Sequence, residues 1–265
     1  MTENNPFLLA MQALTELAPE INAARTTILP SMPALSEVLA EAAPLPREAL
    51  FLGIADDGLP VLMNLTDSVP GPLLLAADEG AGKTTFLQMV AEGITRTHDR
   101  SEIQFGVVTP NPEEWNLFEK NGYCAGIFPV YQRNATDYIF SLGEWAHTNR
   151  SRQFVVLLVD DLSRVTEMDA DTKDTFRWLL LRGPARHIWP IVTLKSSRIM
   201  DIQPWLDYFR TRIFGMIKDQ SLAEYITVSQ DSSLDNLVRG SRFAMREGVD
   251  WLRFWIPQLE HGGTV

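Results

Sequence analysis

The 265-residue chain contains a single cysteine, Cys124. One thiol excludes an internal disulfide framework and any cysteine-built zinc site. The four histidines, at 98, 147, 187 and 261, are scattered without metal-ligand spacing. No apolar run approaches the roughly 20 residues that cross a bilayer. The opening Met1-Thr2-Glu3-Asn4-Asn5-Pro6 lacks a basic stretch followed by an apolar one, so no export signal is read and a cytoplasmic location is expected. Lysine is scarce, five of 23 basic residues against 34 acidic ones. The formal net charge of −11 excludes a surface coated in positive charge for nucleic acid. A local patch is still allowed. Between Thr175 and Met200 lie Arg177, Arg182, Arg186, Lys195 and Arg198 and no acid, and arginine suits fixed contacts with phosphate.

What is present is an alternation of apolar runs and helical patterns. Phe7, Met11, Leu14, Ala18 and Ile21 fall at helical spacing, and 34–42 reads as another helix among Pro30, Pro33, Pro44 and Pro46. Residues 1–48 are read as an N-terminal helical arm or linker outside the main fold. Such an arm either packs on its own domain or reaches a neighbouring subunit or protein partner. From residue 50 two strands, 50–55 and 60–65, flank Asp56-Asp57-Gly58, a hairpin turn signal. Further strands are expected at 72–77, 103–109, 154–159, 188–193 and 211–217, with helices at 83–97, 136–150 and 171–181. Alternating β and α segments predict an α/β fold with a mainly parallel sheet covered on both faces, the apolar 73–77 and 155–159 being central. Segments 242–246 and 249–256 around Glu247-Gly248 predict a terminal β-hairpin. The domain is drawn over 49–257 and a tail over 258–265.

The run Ala77-Asp78-Glu79-Gly80-Ala81-Gly82-Lys83-Thr84 follows an apolar strand and opens a helix, the context of a Walker A loop. Glycines let backbone N–H groups turn inward around phosphate at a helix N-terminus. Gly80, Ala81, Gly82, Lys83, Thr84 and Thr85 are therefore the expected ATP-binding residues. Lys83 would reach the β- and γ-phosphates and the Thr84 hydroxyl would ligate Mg2+. Asp78 and Glu79 are awkward beside a polyanion unless their side chains point outward. The strand Phe154-Val155-Val156-Leu157-Leu158-Val159 ends in Asp160-Asp161, a Walker B arrangement. Asp160 would hold magnesium, and Asp161 stands where a carboxylate polarises the attacking water. Thr193, at the next strand end, is a candidate γ-phosphate sensor. Arg182, Arg186, Arg198, Arg210 and Arg212 are candidate fingers for an adjacent subunit.

From residue 50 to 257 the order of these elements resembles the FtsK/SpoIIIE–HerA branch of P-loop ATPases. Phe51-Leu52-Gly53-Ile54 and Leu73-Leu74-Leu75-Ala76 are similar to its lead-in strands. Val107-Val108-Thr109-Pro110-Asn111-Pro112 stands at its Asp-Pro-Lys-like turn, and Phe128-Pro129-Val130 at its Pro-Val segment. Glu144-Trp145-Ala146-His147-Thr148-Asn149-Arg150 resembles its Glu-Met-x-x-Arg helix, Arg186-His187-Ile188 with Thr193 its Thr-Gln strand, and Thr211-Arg212-Ile213-Phe214 its Thr-Arg-Ile strand. The resemblance implies a RecA-like (ASCE) core, ring assembly that is typically hexameric, and ATP-driven movement of DNA or, in secretion relatives, of protein. The chain departs from the pattern at Thr193-Leu194, where a Thr-Gln pair is usual, at Glu79-Gly80, and at the Asp-Pro-Lys-like turn. Three functions follow: an oligomeric ATPase moving double-stranded DNA through a channel bearing Arg177, Arg182, Arg186, Lys195 and Arg198; a nucleotide-dependent assembly or regulatory subunit with slow or no hydrolysis; or a coupling ATPase of a protein-export machine.

Overall fold

Strands that are apolar at every position are stable only where helices cover both faces of their sheet. The computed structural model, which describes residues 32–229, 233–247 and 250–260, meets that requirement. In chain order the strands are β1 (Ala49–Ala55), β2 (Pro60–Asn64), β3 (Leu73–Ala77), β4 (Ile103–Thr109), β5 (Cys124–Pro129), β6 (Phe154–Val159), β7 (Ile188–Lys195), β8 (Thr211–Phe214), β9 (Arg242–Glu247) and β10 (Asp250–Trp255). They form one ten-stranded sheet in the order β2-β1-β10-β9-β8-β3-β7-β6-β4-β5. The run from β8 to β5 is parallel throughout. The other half, from β2 to β8, is antiparallel.

The alternation of side chains along each strand divides the core in two. Leu74 and Ala76 of β3 and Leu157 and Val159 of β6 enter one cluster, with α3 (Arg133–Thr148) and α5 (Ala170–Arg182). Leu73, Leu75, Val156 and Leu158 enter the other, with α1 (Leu35–Ala42) and α2 (Lys83–Thr97). Every residue of β3 is fully buried. Three short helices, α4 (Leu162–Thr166), α6 (Gln203–Leu206) and α7 (Gln220–Thr227), complete the described helices.

Both expected hairpins form, β1 with β2 and β9 with β10. The terminal one lies inside the sheet, joining the first hairpin to β8. Other expectations are corrected. The strand expected over 211–217 ends at Phe214, and the helix expected over 136–150 spans Arg133–Thr148. β5, α4 and α7 were not foreseen. Nor does the 34–42 helix stand outside the fold. Leu35, Val38 and Leu39 are buried against the core, and Ala34 bridges to Gln258, with the Leu35 N–H donating to the Gln258 carbonyl and the Gln258 N–H to the Pro33 carbonyl, each at 3.0 Å. The helix expected near 6–21 lies outside the described residues.

Candidate nucleotide site

The parallel strands β3, β4, β6 and β7 all point their C-terminal ends to one edge of the sheet, and the loops that follow them enclose a cavity of about 540 Å³. Open parallel sheets place ligands at this edge. Gly80, Gly82, Lys83, Thr84 and Thr85 line it together with Asp160 and Asp161. Ala81 is fully buried beneath them.

The glycine loop turns through the left-handed region at Gly80 (φ 67°) and Gly82 (φ 84°), where a side chain is strained. Gly82 is the residue before α2, whose first turn leaves backbone N–H groups without helical partners. A Cβ at Gly82 would sit 2.6 Å from the Gly240 Cα, so a distant loop backbone packs directly on the turn. From that same loop Arg239 donates to the carbonyls of Glu79 and Gly80.

Lys83 is buried, its Nζ donating to the carbonyls of Ala77 (3.1 Å) and Asp78 (2.6 Å). Burial lowers its pKa, against the opposing pull of Asp160. The Thr84 hydroxyl donates to Asp160 Oδ2 at 2.9 Å, and the Thr193 hydroxyl donates to Asp160 Oδ1 at 2.9 Å. Burial raises the Asp160 pKa, and these two hydrogen bonds oppose it. Strand order explains the Thr193 contact. β7 lies between β3 and β6, with Leu75 opposite Thr193 and Val159 opposite Val192, which brings Thr193 beside the residue following Val159.

Asp161 adopts φ 80° and caps α4. Its Oδ1 accepts from the Ser163 N–H (3.1 Å) and hydroxyl (2.5 Å), and its own N–H donates to Thr193 Oγ1 at 2.8 Å. The Asp78 carboxylate turns away from the glycine loop, accepting from the Ser196 hydroxyl and from the Lys218 N–H. Glu79 is exposed and pairs with Lys195 at 3.5 Å. Asp78 is thus turned to Ser196 and Lys218, while Glu79 stays at the cavity edge with its charge offset by Lys195.

Among the described residues no group of three or more His, Cys, Asp or Glu could cage a metal. The donor set that is present, one hydroxyl and one carboxylate in contact, fits magnesium, which binds through one or two protein oxygens and takes its other ligands from phosphate and water. The glycine turn, the helix start and Lys83 fit a triphosphate.

The basic residues of 175–200 do not converge. Lys195 lines the cavity at the C-terminal end of β7, while Arg182 and Arg186 precede its N-terminal end, about 23 Å away along an extended strand. Arg177 pairs with Asp174, and Arg198 with Glu167 and Asp201. Arg212 is tied to the carbonyls of Leu206, Phe209 and Ile226 within its own chain, which removes it as a finger for a neighbour. Leu194, the departure from the Thr-Gln pair, is wholly buried in the core. Arg239, Gly240, Glu114 and Arg164 border the site without having been singled out in the sequence. Glu114 lies two residues beyond the Val107–Pro112 segment, whose proximity could have pointed to it, and no motif marks the others.

No family model matches the sequence, and no curated protein matches it. Solved structures do resemble the fold. ATPases 2 and 3 of Thermomonospora curvata EccC, in complex with a signal sequence peptide, match with a TM-score of 0.67 at 12% identity, covering 89% of this chain and 44% of theirs. The pCW3 conjugation coupling protein TcpA, in a monomer form with ATPγS, matches with a TM-score of 0.68 at 13% identity, covering 95% of this chain and 82% of that one. B204, the DNA-packaging ATPase of Sulfolobus Turreted Icosahedral Virus, matches with a TM-score of 0.55 at 10% identity over 71% of this chain and 98% of its own. The chain thus spans less than half of the EccC chain it matches. The class is clear: this is the RecA-like P-loop ATPase fold. Within it, the fold is similar to those of the EccC, TcpA and B204 structures.

Proposed function

We propose that the chain binds ATP with magnesium in the 540 Å³ cavity and hydrolyses it as one subunit of an oligomeric motor of the FtsK/HerA type. The observation that carries this reading is the Thr84–Asp160 contact at 2.9 Å beside Lys83, three residues from two distant segments meeting at one helix start. The first-turn N–H groups of α2 take the triphosphate, and Lys83 exchanges its two carbonyl partners for phosphate oxygens. Thr84 and Asp160 would hold magnesium, which would supply charge neutralisation for the transferred phosphoryl group. Thr193 fixes the Asp160 carboxylate from the other side. In Asp161, one carboxylate oxygen is anchored by Ser163 and the other orients the attacking water. We place this activity in the cytoplasm.

A second reading, a nucleotide-switched assembly subunit or export coupling ATPase, is favoured by the dispersal of the basic residues and by the buried Leu194. EccC, in complex with a signal sequence peptide, and B204, a DNA-packaging ATPase, stand for the two readings. Phosphate release from ATP with magnesium, with and without double-stranded DNA, separates the readings against a Lys83→Ala blank. Turnover above the blank that DNA stimulates supports a DNA motor. Turnover indifferent to DNA supports a protein-directed ATPase, and turnover equal to the blank with ATP still bound supports the switch.

A further inference from the structure

The N-terminal ends of the parallel strands form the edge of the sheet opposite the nucleotide cavity. The segments leading into β6, β7, β3 and β8, four neighbouring strands, hold Arg150, Arg152, Arg182, Arg186 and Arg210. Their acids are Asp67 and Asp207, in a chain whose net charge is −11. All five arginines are exposed, and none is in an ion pair among the described residues. This edge is basic where the molecule as a whole is acidic.

A cavity of about 270 Å³ opens here, between the end of α5 and the segments before β3 and β8. Leu180 and Pro184 are buried in its wall, whereas Val69 and Leu181 line it while 67% and 63% exposed. Arg182 and Arg210 line it too. Asp207 is the one acid of the lining, and the Arg212 guanidinium lies within reach of its charge. Hydrogen bonds fix the wall. The Thr211 hydroxyl donates to the Pro70 carbonyl at 2.8 Å, the Gly183 N–H to the Leu179 carbonyl at 2.8 Å and the Ile188 N–H to the Gly183 carbonyl at 2.9 Å.

A ligand suited to this place is acidic and apolar at once. A phosphate backbone matches the arginines but gives Val69 and Leu181 nothing to bury against. An acidic amphipathic segment matches both, and the chain carries one. Residues 1–24 contain Glu3, Glu16 and Glu20, no lysine or arginine, and Phe7, Met11 and Leu14 at helical spacing. The same copy is poorly placed to receive it. The described chain begins at Met32, beside Thr85 and Gly240 at the C-terminal edge, and α1 follows on the α2 side of the sheet. The cavity lies at the other edge and beside α5, on the other side. We propose that residues 1–24 of one copy dock in this cavity of the next, an apolar side chain filling it and Glu16 and Glu20 meeting Arg182 and Arg210. Such a contact joins two different surfaces and therefore repeats head to tail. It deepens the oligomeric part of the reading above and is independent of its nucleotide part.

Sedimentation velocity over a range of concentrations tests this on the full chain and three variants of it. One carries Glu16→Arg with Glu20→Arg, one Arg182→Glu with Arg210→Glu, and one all four changes. The unaltered chain should self-associate. Each double variant should associate at least about tenfold more weakly, because like charges then face each other. The fourfold variant should regain association, because the pairs re-form with their signs exchanged. A chain that stays monomeric throughout overturns the proposal. So does association that Arg182→Glu with Arg210→Glu leaves unchanged, or a fourfold variant no better than the doubles. Unchanged association together with lost binding of double-stranded DNA in Arg182→Glu with Arg210→Glu would assign the edge to nucleic acid instead. No readout of association uses ATP, so failure here leaves the nucleotide reading standing.

Discussion

Asp161 holds φ 80° while its Oδ1 caps α4 through Ser163. Two substitutions separate the cap from the chemistry. Asparagine tolerates this backbone region and keeps a capping oxygen, so Asp161→Asn should leave the melting temperature and ATP affinity unchanged. It should lower turnover by about 10²-fold or more if the carboxylate orients water. Asp161→Ala should do the same and also cost about 1 kcal/mol of stability. Full turnover in Asp161→Asn would reduce the residue to a cap.

His98 supplies a pH-dependent prediction. Its Nδ1 lies 2.8 Å from the Thr97 hydroxyl, which itself donates to the Gly93 carbonyl, so Nδ1 carries the hydrogen and Nε2 is bare. Nε2 is buried without a partner among the described residues. A second proton there would be a buried charge, and burial lowers the pKa below the ordinary 6.5, against the opposing pull of the Arg47 backbone and of Glu102 and Glu48. The unfolded chain then binds the proton first as pH falls. Stability from this group is full above pH 6.5 and declines below it until the folded value is reached. Urea midpoints at pH 7.5 and 5.5 should fall more in the unaltered protein than in His98→Gln. Equal falls would contradict the account.

At the scale of elements, α1 shows what a buried apolar face decides. Leu35 is fully buried, so Leu35→Ala should cost about 2–5 kcal/mol by chemical denaturation, whereas a helix outside the fold would lose almost nothing. Pattern alone found this helix but could not say what it packs on, because its partner in the tail, Gln258, is more than two hundred residues away. β3 and β6 were legible because both of their faces are buried and they read as unbroken apolar runs. β5 was not. It is an edge strand with a mostly half-exposed pattern, interrupted by Gly126 and closed by Pro129. α4 spans five residues, too few to show a period, and begins at a left-handed aspartate. Within the site, residues 80–85 and Asp160 were legible from local spacing. The inward role of Thr193 followed only once strand order put β7 between β3 and β6. The clamp by Arg239 and Gly240 has no local signature, because it joins a guanidinium and a glycine backbone to a loop about 160 residues away in sequence.

Across the whole molecule, a net charge of −11 coexists with a site proposed to accept a polyanion. The arrangement of charges reconciles them. Asp78 is turned to Ser196 and Lys218, Glu79 at the cavity edge is paired with Lys195, Lys83 is buried, and Arg164 also stands at the cavity wall. Elsewhere, Arg177, Arg198 and Arg242 are each matched to acids of the same chain. No helix among the described residues is long and apolar enough to cross a membrane. The central claim is that the convergence of residues 80–85 with Asp160 is a nucleotide site. Its most direct test is calorimetric titration of magnesium–ATP into the unaltered protein and into Lys83→Ala. The account predicts saturable binding at one site per chain in the first and a loss of at least about tenfold in affinity in the second. Equal binding by both proteins, or none by the unaltered one, would contradict it.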